Sequence, residues 1–424
     1  MELVERRAVL AGLAGLLEAR AAELGPAGAA ELGPAGAAEL GPAGAAEAAD
    51  RWRQGGALRR VLGDRAGEGE DLRRAARALW RCGRGEEAGR AGRRAAELLT
   101  GAAGARAYLD LAEAAGAAQD LVAVAAWARR AVAADGRVAA RARWELALAR
   151  VVAGGGEWGA VEAGCGVEGV EEAARRGLAV GELALLHGDP ARAGRALERT
   201  AAHCREHGLT WQLQEAEAQL VHLRLCEGHW REAVRAADEA LRVPGLPLPA
   251  RVRTLQVVGT VRARRGEPGV WGPLDEAVAA ADPVDLRLLG PVWVARAEAA
   301  WLGGDEERAA AEARHGLAMT GGRGAPWLAG ALAVWVRRSG GRVPQLRAAG
   351  PYAAELAGAR AAAARAWERR GCPYEAALAR LGGDATAVRR ALAGFEAAGA
   401  RAAAFRARAR LRALTASGGA AHTP

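Results

Sequence analysis

The sequence contains no lysine, no asparagine and no isoleucine, so all 59 of its basic side chains are arginine. Without lysine there is neither an amine for a Schiff base nor the lysine of a phosphate-binding loop. Serine occurs only as Ser339 and Ser417, and neither lies in the GxSxG motif of a nucleophile elbow. These absences exclude several enzyme classes, and we expect that the chain is not an enzyme.

Cysteine is scarce as well, with five residues and no CxxC pair. An odd, scattered set argues against a disulfide framework or a zinc knuckle and fits a reducing cytoplasm. No apolar run is long enough to span a membrane. We therefore expect a cytoplasmic location, no membrane association and no cofactor. The segment Glu5-Arg6-Arg7 with the apolar stretch after it resembles a twin-arginine export signal, so an exported binding protein is an alternative.

The net charge of +9 is a weak indicator of function. Arginine is the one cation available to pair with 50 carboxylates, so an arginine-rich surface serves solvation and pairing as readily as phosphate binding. The end of the chain is also basic and allows contact with phosphate or with an acidic partner, although solvation and packing account for it equally well. Its arginines are Arg401, Arg406, Arg408, Arg410 and Arg412.

Helix-length segments with apolar residues three and four apart run from about residue 72, separated by short glycine turns, and no strand pattern interrupts them. Regularly spaced turns between helices are typical of stacked hairpins. The sequence predicts an all-α fold, a TPR-like helical-hairpin solenoid. The predicted turn glycines are Gly83, Gly116, Gly154, Gly188, Gly228, Gly266 and Gly304.

Two local features support this hairpin prediction. An alanine follows several of these glycines five residues later, as at Ala88, Ala193, Ala233 and Ala309, where a small side chain lets two helices approach closely. The turns Gly188-Asp189-Pro190 and Gly266-Glu267-Pro268 predict that an acidic residue caps the next helix and that proline begins it.

The chain divides into six predicted segments, beginning with a helix that is followed by three tandem copies of AAELGPAG. The glycine-proline pairs of these copies predict a linker. The segments are an N-terminal helix at 1–20, the repeat linker at 21–47, degenerate helical repeats at 48–180, a TPR-like solenoid at 181–345, C-terminal helical hairpins at 346–415 and a disordered tail at 416–424.

Three stretches resemble the helical-repeat region of the large ATP-binding LuxR-type transcriptional regulators. They are residues 262–269 (RARRGEPG), 291–301 (PVWVARAEAAW) and 366–378 (AWERRGCPYEAAL). The resemblance covers residues 180–415 well and 72–180 loosely. It implies a helical-repeat sensory or scaffolding module, since in that family these positions serve helix packing.

The resemblance does not extend to the functional ends of that family. Its members begin with a STAND-class ATPase domain and end with a helix-turn-helix. Where a phosphate loop would read GxxxxGK[ST], residues 41–48 place alanine for the second glycine, Glu47 for the lysine and alanine for the hydroxyl residue. A carboxylate there repels phosphate. We expect no ATP binding and no direct sequence-specific contact with nucleic acid. A transcriptional regulator acting through a separate DNA-binding chain is an alternative.

Polar residues on the first helices of the hairpins are the candidates for partner binding. Arg253, Gln256 and Thr260 share one face at three and four spacing, with Gln214 and Glu217 one hairpin earlier. They predict recognition of a protein partner or a small-molecule inducer on the concave face, whereas a solvent-exposed outer face is the alternative. Tryptophans provide further candidates for such a groove or for the core: Trp211, Trp230, Trp271, Trp293, Trp301, Trp327, Trp335 and Trp367.

A short motif, HxxEH, at residues 203–207 gives a further alternative function, a zinc-dependent hydrolase. His203 and His207 stand one helical turn apart, as zinc ligands do in hydrolases, with Glu206 as the base. Histidine also suits the C-terminal end of a helix electrostatically. No distal carboxylate ligand is recognisable, so we expect a solvated helix end rather than a metal site.

Overall fold

The computed structural model describes residues 42–163, 169–321 and 325–420, together with positions 11–13, 15, 16 and 19. The described chain is built of α-helices with one short 3₁₀ turn, Gly136–Val138, and contains no strand. The prediction of an all-α protein is confirmed. None of the described helices is both long and apolar enough to cross a membrane.

The helices are numbered here in chain order. The first eleven are α1 (Pro42–Leu62), α2 (Arg65–Arg81), α3 (Gly85–Leu98), α4 (Gly101–Ala117), α5 (Leu121–Ala134), α6 (Ala139–Val152), α7 (Trp158–Glu162), α8 (Val170–Leu186), α9 (Pro190–Glu206), α10 (Thr210–Glu227) and α11 (Trp230–Leu241). The others are α12 (Leu248–Arg265), α13 (Trp271–Ala280), α14 (Leu286–Leu302), α15 (Glu306–Thr320), α16 (Pro326–Arg338), α17 (Gly350–Leu356), α18 (Arg360–Arg369), α19 (Pro373–Arg380), α20 (Ala385–Ala397) and α21 (Arg401–Ala420).

Helices that follow one another pack together as hairpins, and the hairpins stack. The even-numbered helices α4 to α16 are the first helices of successive hairpins. Most of them also pack against the first helix of the next hairpin, as α8 does on α10, α10 on α12, α12 on α14 and α14 on α16. This arrangement is a helical-hairpin solenoid, as predicted.

Six of the seven predicted turn glycines have the left-handed backbone conformation of a helix C-terminus. Gly116 is the exception, because it lies inside α4 and Gln119 takes the left-handed position with φ of 55°. The alanines five residues after the turns are buried, at most 5% exposed. A small side chain at this position therefore lets the two helices of each hairpin pack closely.

Of the two helix-capping predictions, the one at Asp189 is confirmed and the one at Glu267 is wrong. The side chain of Asp189 accepts a hydrogen bond from the backbone N–H of Arg192, and Pro190 is the first residue of α9. Glu267 caps no helix, because α13 begins only at Trp271. A second glycine with positive φ, Gly269, extends that turn.

Three of the predicted segment boundaries fall inside helices of the structure. Helix α1 begins at Pro42, so the last part of the predicted 21–47 linker is helical, and α21 continues to Ala420 within the predicted 416–424 tail. The boundary between 180 and 181 falls inside α8. Residues 21–41 and most of 1–20 lie outside the described residues, although positions 11–13, 15, 16 and 19 are helical.

The C-terminal helices fold back over the first helices of the solenoid. Helix α19 packs on α10, and α21 packs on α12 and α14. The ring of Tyr374 meets that of Trp230 edge to face at 5.5 Å, and the Arg401 Nε donates to the backbone oxygen of Arg265 at 3.0 Å. A side chain at Gly188 would clash with the ring of Trp367, at 2.5 Å from its Cζ3. The concave face is thereby covered by the protein's own C-terminal part.

Tyr374 tests this packing. It is fully buried and contacts Trp230, Phe395 and the guanidinium of Arg264. We expect Tyr374→Ala to lower the free energy of unfolding by about 3–5 kcal/mol, because it opens a cavity where three elements meet. Val122→Ala, at a position that is 81% exposed, is the control and should change little. Urea denaturation measures both, and a loss below about 1 kcal/mol for Tyr374→Ala contradicts this packing.

Candidate functional site

The concave side of the solenoid holds two adjoining cavities that are partly open to solvent. The C-terminal cavity, about 230 Å³, lies among α4, α6, α8, α10, α12, α14 and α16 and is closed by Tyr352, Trp367, Cys372 and Glu375. The N-terminal cavity, about 510 Å³, lies among α2, α4, α8 and α10. Both are lined by Glu113, Arg175, Ala179, Glu182 and Arg287, so they meet at the centre of the molecule.

Arg253 links three consecutive first helices at the junction of the cavities. Its Nη2 donates to Glu182 Oε1 on α8 at 2.8 Å and to Glu215 Oε1 on α10 at 3.2 Å. Burial favours the neutral form of both carboxyls. For Glu182, Arg287 and Arg253 outweigh burial and hold its pKa below the usual value. For Glu215, burial dominates over Arg253 and raises the pKa.

Arg264 makes the corresponding link to the C-terminal helices. Its Nε donates to Glu298 Oε1 on α14 at 2.9 Å, and its Nη2 donates to Glu375 Oε1 on α19 at 3.3 Å. The guanidinium carbon also lies 3.8 Å from the centre of the Tyr374 ring. Burial raises the pKa of Glu375. One cation thus ties the solenoid to the segment that covers it.

Arg141 makes the third link, at the other end of the C-terminal cavity. It donates to Glu113 on α4 at 3.3 Å, to Glu145 on its own helix α6 at 3.0 Å and to Glu172 on α8 at 2.6 Å. Three carboxylates therefore share one guanidinium. Burial raises the pKa of Glu145 to about 7 against the pull of Arg141, so this carboxyl titrates near neutral pH.

Several residues that line the C-terminal cavity have buried polar atoms without a hydrogen-bond partner in the described structure. These atoms include His222 Nδ1, Arg264 Nη1, Arg287 Nε and Glu375 Oε2. Burial, with Arg253 and Arg264 nearby, lowers the pKa of His222 to about 3, so its imidazole is neutral. Buried polar groups are normally hydrogen-bonded. Each of these four atoms is closed off from open space, so a molecule in the cavity would reach it only after the wall rearranged.

The predicted binding residues of α12 lie together but are not exposed. The Gln256 Nε2 donates to Thr260 Oγ1 at 3.3 Å, and both side chains line the C-terminal cavity. Arg253, Gln256 and Thr260 are 5%, 6% and 2% exposed. The alternative of a solvent-exposed outer face therefore does not hold for these three residues. The stacked first helices and the C-terminal helices that lie on them bury this part of the concave face.

The other two predicted residues lie elsewhere. Gln214 is partly exposed, and Glu217 is exposed and pairs with Arg205 of α9 at 3.0 Å. The α10 residues that do face α12 and the cavities are Glu215, Gln219 and His222. Their spacing of four and three is the same helical signal that selected the α12 residues.

The HxxEH motif lies apart from both networks. His203 Nε2 hydrogen-bonds the backbone oxygen of Val170 at 2.9 Å, and His207 Nδ1 that of His203 at 2.9 Å, while Glu206 is exposed. Within the described ranges, no group of three or more histidine, cysteine, aspartate or glutamate side chains has the arrangement to hold a metal ion. The motif therefore presents no third ligand for zinc among these residues.

The remaining candidates from the sequence fall into two groups. Three arginines of α21 have protein partners: Arg401 bonds to the oxygen of Arg265, Arg406 to that of Trp301, and Arg408 to Glu396. Most of the tryptophans are in the core. Three of these candidate tryptophans line the cavities. Trp211 lines the N-terminal cavity, and Trp327 and Trp367 line the C-terminal cavity.

Comparisons with known proteins add little to this description. No family model matches the chain, and no curated protein matches it. Among solved structures, the chain is similar to a "Circular tandem repeat protein with novel repeat topology and enhanced subunit contact surfaces", with 17% identity over 90% of this chain and 85% of that chain. The TM-score is 0.15, so this likeness carries no argument. The helix packing and the enclosed cavities define the class, a helical-repeat protein with a polar interior.

Arg253 tests the network. We expect Arg253→Ala to lower the free energy of unfolding by about 3–5 kcal/mol, because Glu182 and Glu215 lose a buried partner. The matched control is Arg251→Ala two residues away, whose side chain is 42% exposed and pairs with Glu276, and which should cost about 0–1 kcal/mol. Urea denaturation compares the two, and equal losses contradict the network.

Glu145 gives a pH test. Its pKa is about 7 in the folded protein, against the 4.5 of an ordinary glutamate, so between these values the folded state binds more protons than the unfolded state. Its contribution to stability is therefore greatest below pH 4.5 and is lost as pH rises through about 7. Glu145→Gln should weaken this pH dependence and stabilise the protein most above pH 7. Urea midpoints measured across the range check it, with Glu97→Gln, at an exposed side chain, as control. An unchanged profile in Glu145→Gln contradicts this assignment.

Proposed function

We propose that the chain is a non-enzymatic sensory module that binds a small polar molecule in the cavities of its concave face. The observation that carries the proposal is the pair of adjoining cavities, about 230 and 510 Å³, whose lining residues include charged and polar side chains such as Gln256, Thr260 and Arg287. Small-molecule sites are concave, occupy about 300–1,000 Å³ and hold a few well-placed polar groups among apolar ones. Trp327, Tyr352 and Trp367 supply the apolar part of the wall.

A small molecule is favoured over a protein partner on this face because the face is covered. Helices α19 and α21 lie on α10, α12 and α14, and Arg264 fixes α19 in place through Glu375. A stable protein interface needs about 800 Å² on each partner, and the partly open cavities beneath these helices are of a size that suits a small ligand. A protein partner would use the outer helices instead.

The resemblance of residues 180–415 to LuxR-type regulators supports a sensory role. In those proteins the helical-repeat region stands between an ATPase and a DNA-binding domain. By this analogy, ligand binding would tighten the contact between the solenoid and its C-terminal helices, and a further domain or a separate chain would read that change. A regulator that acts through a separate DNA-binding chain remains part of this proposal.

The test is a thermal-shift screen with sugars, amino acids, nucleotides and aromatic acids. A ligand present at 100 times its Kd stabilises the folded state by about 2.7 kcal/mol, which raises the melting temperature by several degrees. Ala149 lines only the C-terminal cavity, and Ala149→Phe places a phenyl ring inside it. We expect compounds without an anionic group that stabilise the wild type to lose this effect in Ala149→Phe.

Two further variants make the result specific. Gln256→Leu removes polar atoms from the cavity wall at nearly constant volume and should weaken the same compounds. Ala202→Phe adds the same ring at an exposed position of α9 and should leave the shifts unchanged. The proposal is rejected if no compound stabilises the wild type, or if stabilisation by compounds without an anionic group persists equally in Ala149→Phe.

A further inference from the structure

We propose that the N-terminal cavity binds the anionic group, a carboxylate or a phosphate, of a ligand with a flat apolar body. The site consists of Arg77 and Arg81 on α2, Arg175 on α8, and the start of α10 with Trp211. This inference rests on the proposed function, because it names the chemical class of the small molecule. It follows from how the charges of this cavity are paired.

Arg77 and Arg81 differ from the other arginines that line the cavity. Arg73, Arg77 and Arg81 follow one another at every fourth residue on one face of α2. Arg73 donates to Glu70 and to Asp110 at 2.9 Å, and Arg287 pairs with Glu182 and Asp285. Neither Arg77 nor Arg81 makes an ion pair or a hydrogen bond within the described ranges.

Arg175 faces the same space from α8. Its one ion pair, with Glu172 on its own helix, is 3.5 Å long, and Glu172 is held more closely by Arg141 at 2.6 Å. Burial, together with repulsion from Arg77 and Arg175, lowers the pKa of Arg81 to about 10. The three arginines line one cavity, Arg77 from an exposed position, and a bound anion would relieve their mutual repulsion.

The nearby carboxylates neutralise this cluster only in part. Glu113 is bonded to Arg141, and against burial the charges of Arg175, Arg141 and Arg77 hold its pKa below the usual value. Asp110 is bonded to Arg73, and Glu171 faces Arg81 without an ion pair. The other carboxylates of the cavity lie toward α12 and α14 and are already engaged. Their partners are Arg253 for Glu215, Arg253 and Arg287 for Glu182, Arg287 for Asp285, and the backbone N–H of Val284 for Asp282.

The backbone adds positive potential at the same wall. Helix α10 has 18 residues, and Gly208, Thr210 and Gln212 of its first turn and approach line the cavity. No side chain caps this helix, because the residue at the capping position is Leu209. The uncapped N–H groups and the helix dipole both favour an anion there.

The aromatic side chains indicate the shape of the ligand. The guanidinium carbon of Arg81 lies 4.8 Å from the centre of the Trp211 ring, and Trp80 lines the same cavity. Both tryptophans are partly exposed. An anionic group at the arginines therefore leaves the rest of the ligand next to two indole rings, which suit a flat apolar body.

Isothermal titration calorimetry with phenyl phosphate, phenol and inorganic phosphate tests the inference. We expect phenyl phosphate to bind the wild type more tightly than phenol does, and inorganic phosphate to compete with it. Arg77→Gln and Arg81→Gln should each weaken phenyl phosphate about tenfold, because each removes one charged hydrogen-bond donor. Neither change should lower the melting temperature, since each also removes like-charge repulsion.

Arg130→Gln is the matched control. Arg130 stacks on Trp127 at 4.9 Å, as Arg81 does on Trp211, but lies outside both cavities. We expect its phenyl phosphate affinity to equal that of the wild type. The anion site is overturned if the wild type binds neither phosphate compound, or if Arg130→Gln weakens binding as much as Arg81→Gln does.

The two proposals fail separately in these experiments. Ala149 does not line the N-terminal cavity, so phenyl phosphate binding that depends on Arg77 and Arg81 should persist in Ala149→Phe. If that binding persists and the thermal-shift screen is negative, the anion site stands without the sensory role. If Arg77 and Arg81 do not affect binding while Ala149→Phe abolishes ligand stabilisation, only the anion site is rejected.

Discussion

The buried pairing of guanidinium and carboxylate groups on the concave face is the interaction on which this structure depends. Arg141, Arg253 and Arg264 each join carboxylates from two or three helices that are distant in sequence. A charge taken out of water is costly unless it has a partner with good geometry. Each first helix must therefore meet its neighbours in one register, or a charge is left without a partner. The apolar core between the two helices of a hairpin provides most of the burial, whereas these pairs determine how one hairpin sits on the next.

The balance of charges in this interior also creates its capacity for ligands. Around the C-terminal cavity, burial raises the pKa of Glu145 and Glu375 although each has a guanidinium partner. At the other end, Arg77 and Arg81 have no carboxylate bound to them within the described ranges. One interior thus has a proton-binding end and an anion-attracting end. A ligand that lay across both cavities would meet acceptors and neutral imidazole at one end and guanidinium groups at the other.

The covering of the concave face by the C-terminal helices changes how such an array is used. An open solenoid offers its concave surface to a peptide or a protein, and exposed polar residues there carry the recognition. Here Tyr374, Trp367 and Arg406 attach the last helices to the first helices or to their turns. The surface becomes an interior, so substitutions in it affect stability and ligand binding together. The same contacts make the position of α19 and α21 sensitive to what fills the cavity beneath them.

Local patterns in the sequence determined the hairpins. Glycine turns, buried alanines five residues later and the Asp189-Pro190 helix start are short-range features whose steric and hydrogen-bonding reasons act within a few residues. The structure differs from the prediction at two turns. Gln119 takes the left-handed position predicted for Gly116, and Gly269 extends the turn after Glu267, so that Glu267 does not cap the next helix. The spacing on α12 correctly placed Arg253, Gln256 and Thr260 on one face. Only the tertiary structure decided that this face is buried and that Glu182 and Glu215 pair with it. The winding of the array and the return of its C-terminal helices depend on small rotations summed over many hairpins, and no local pattern encodes that sum.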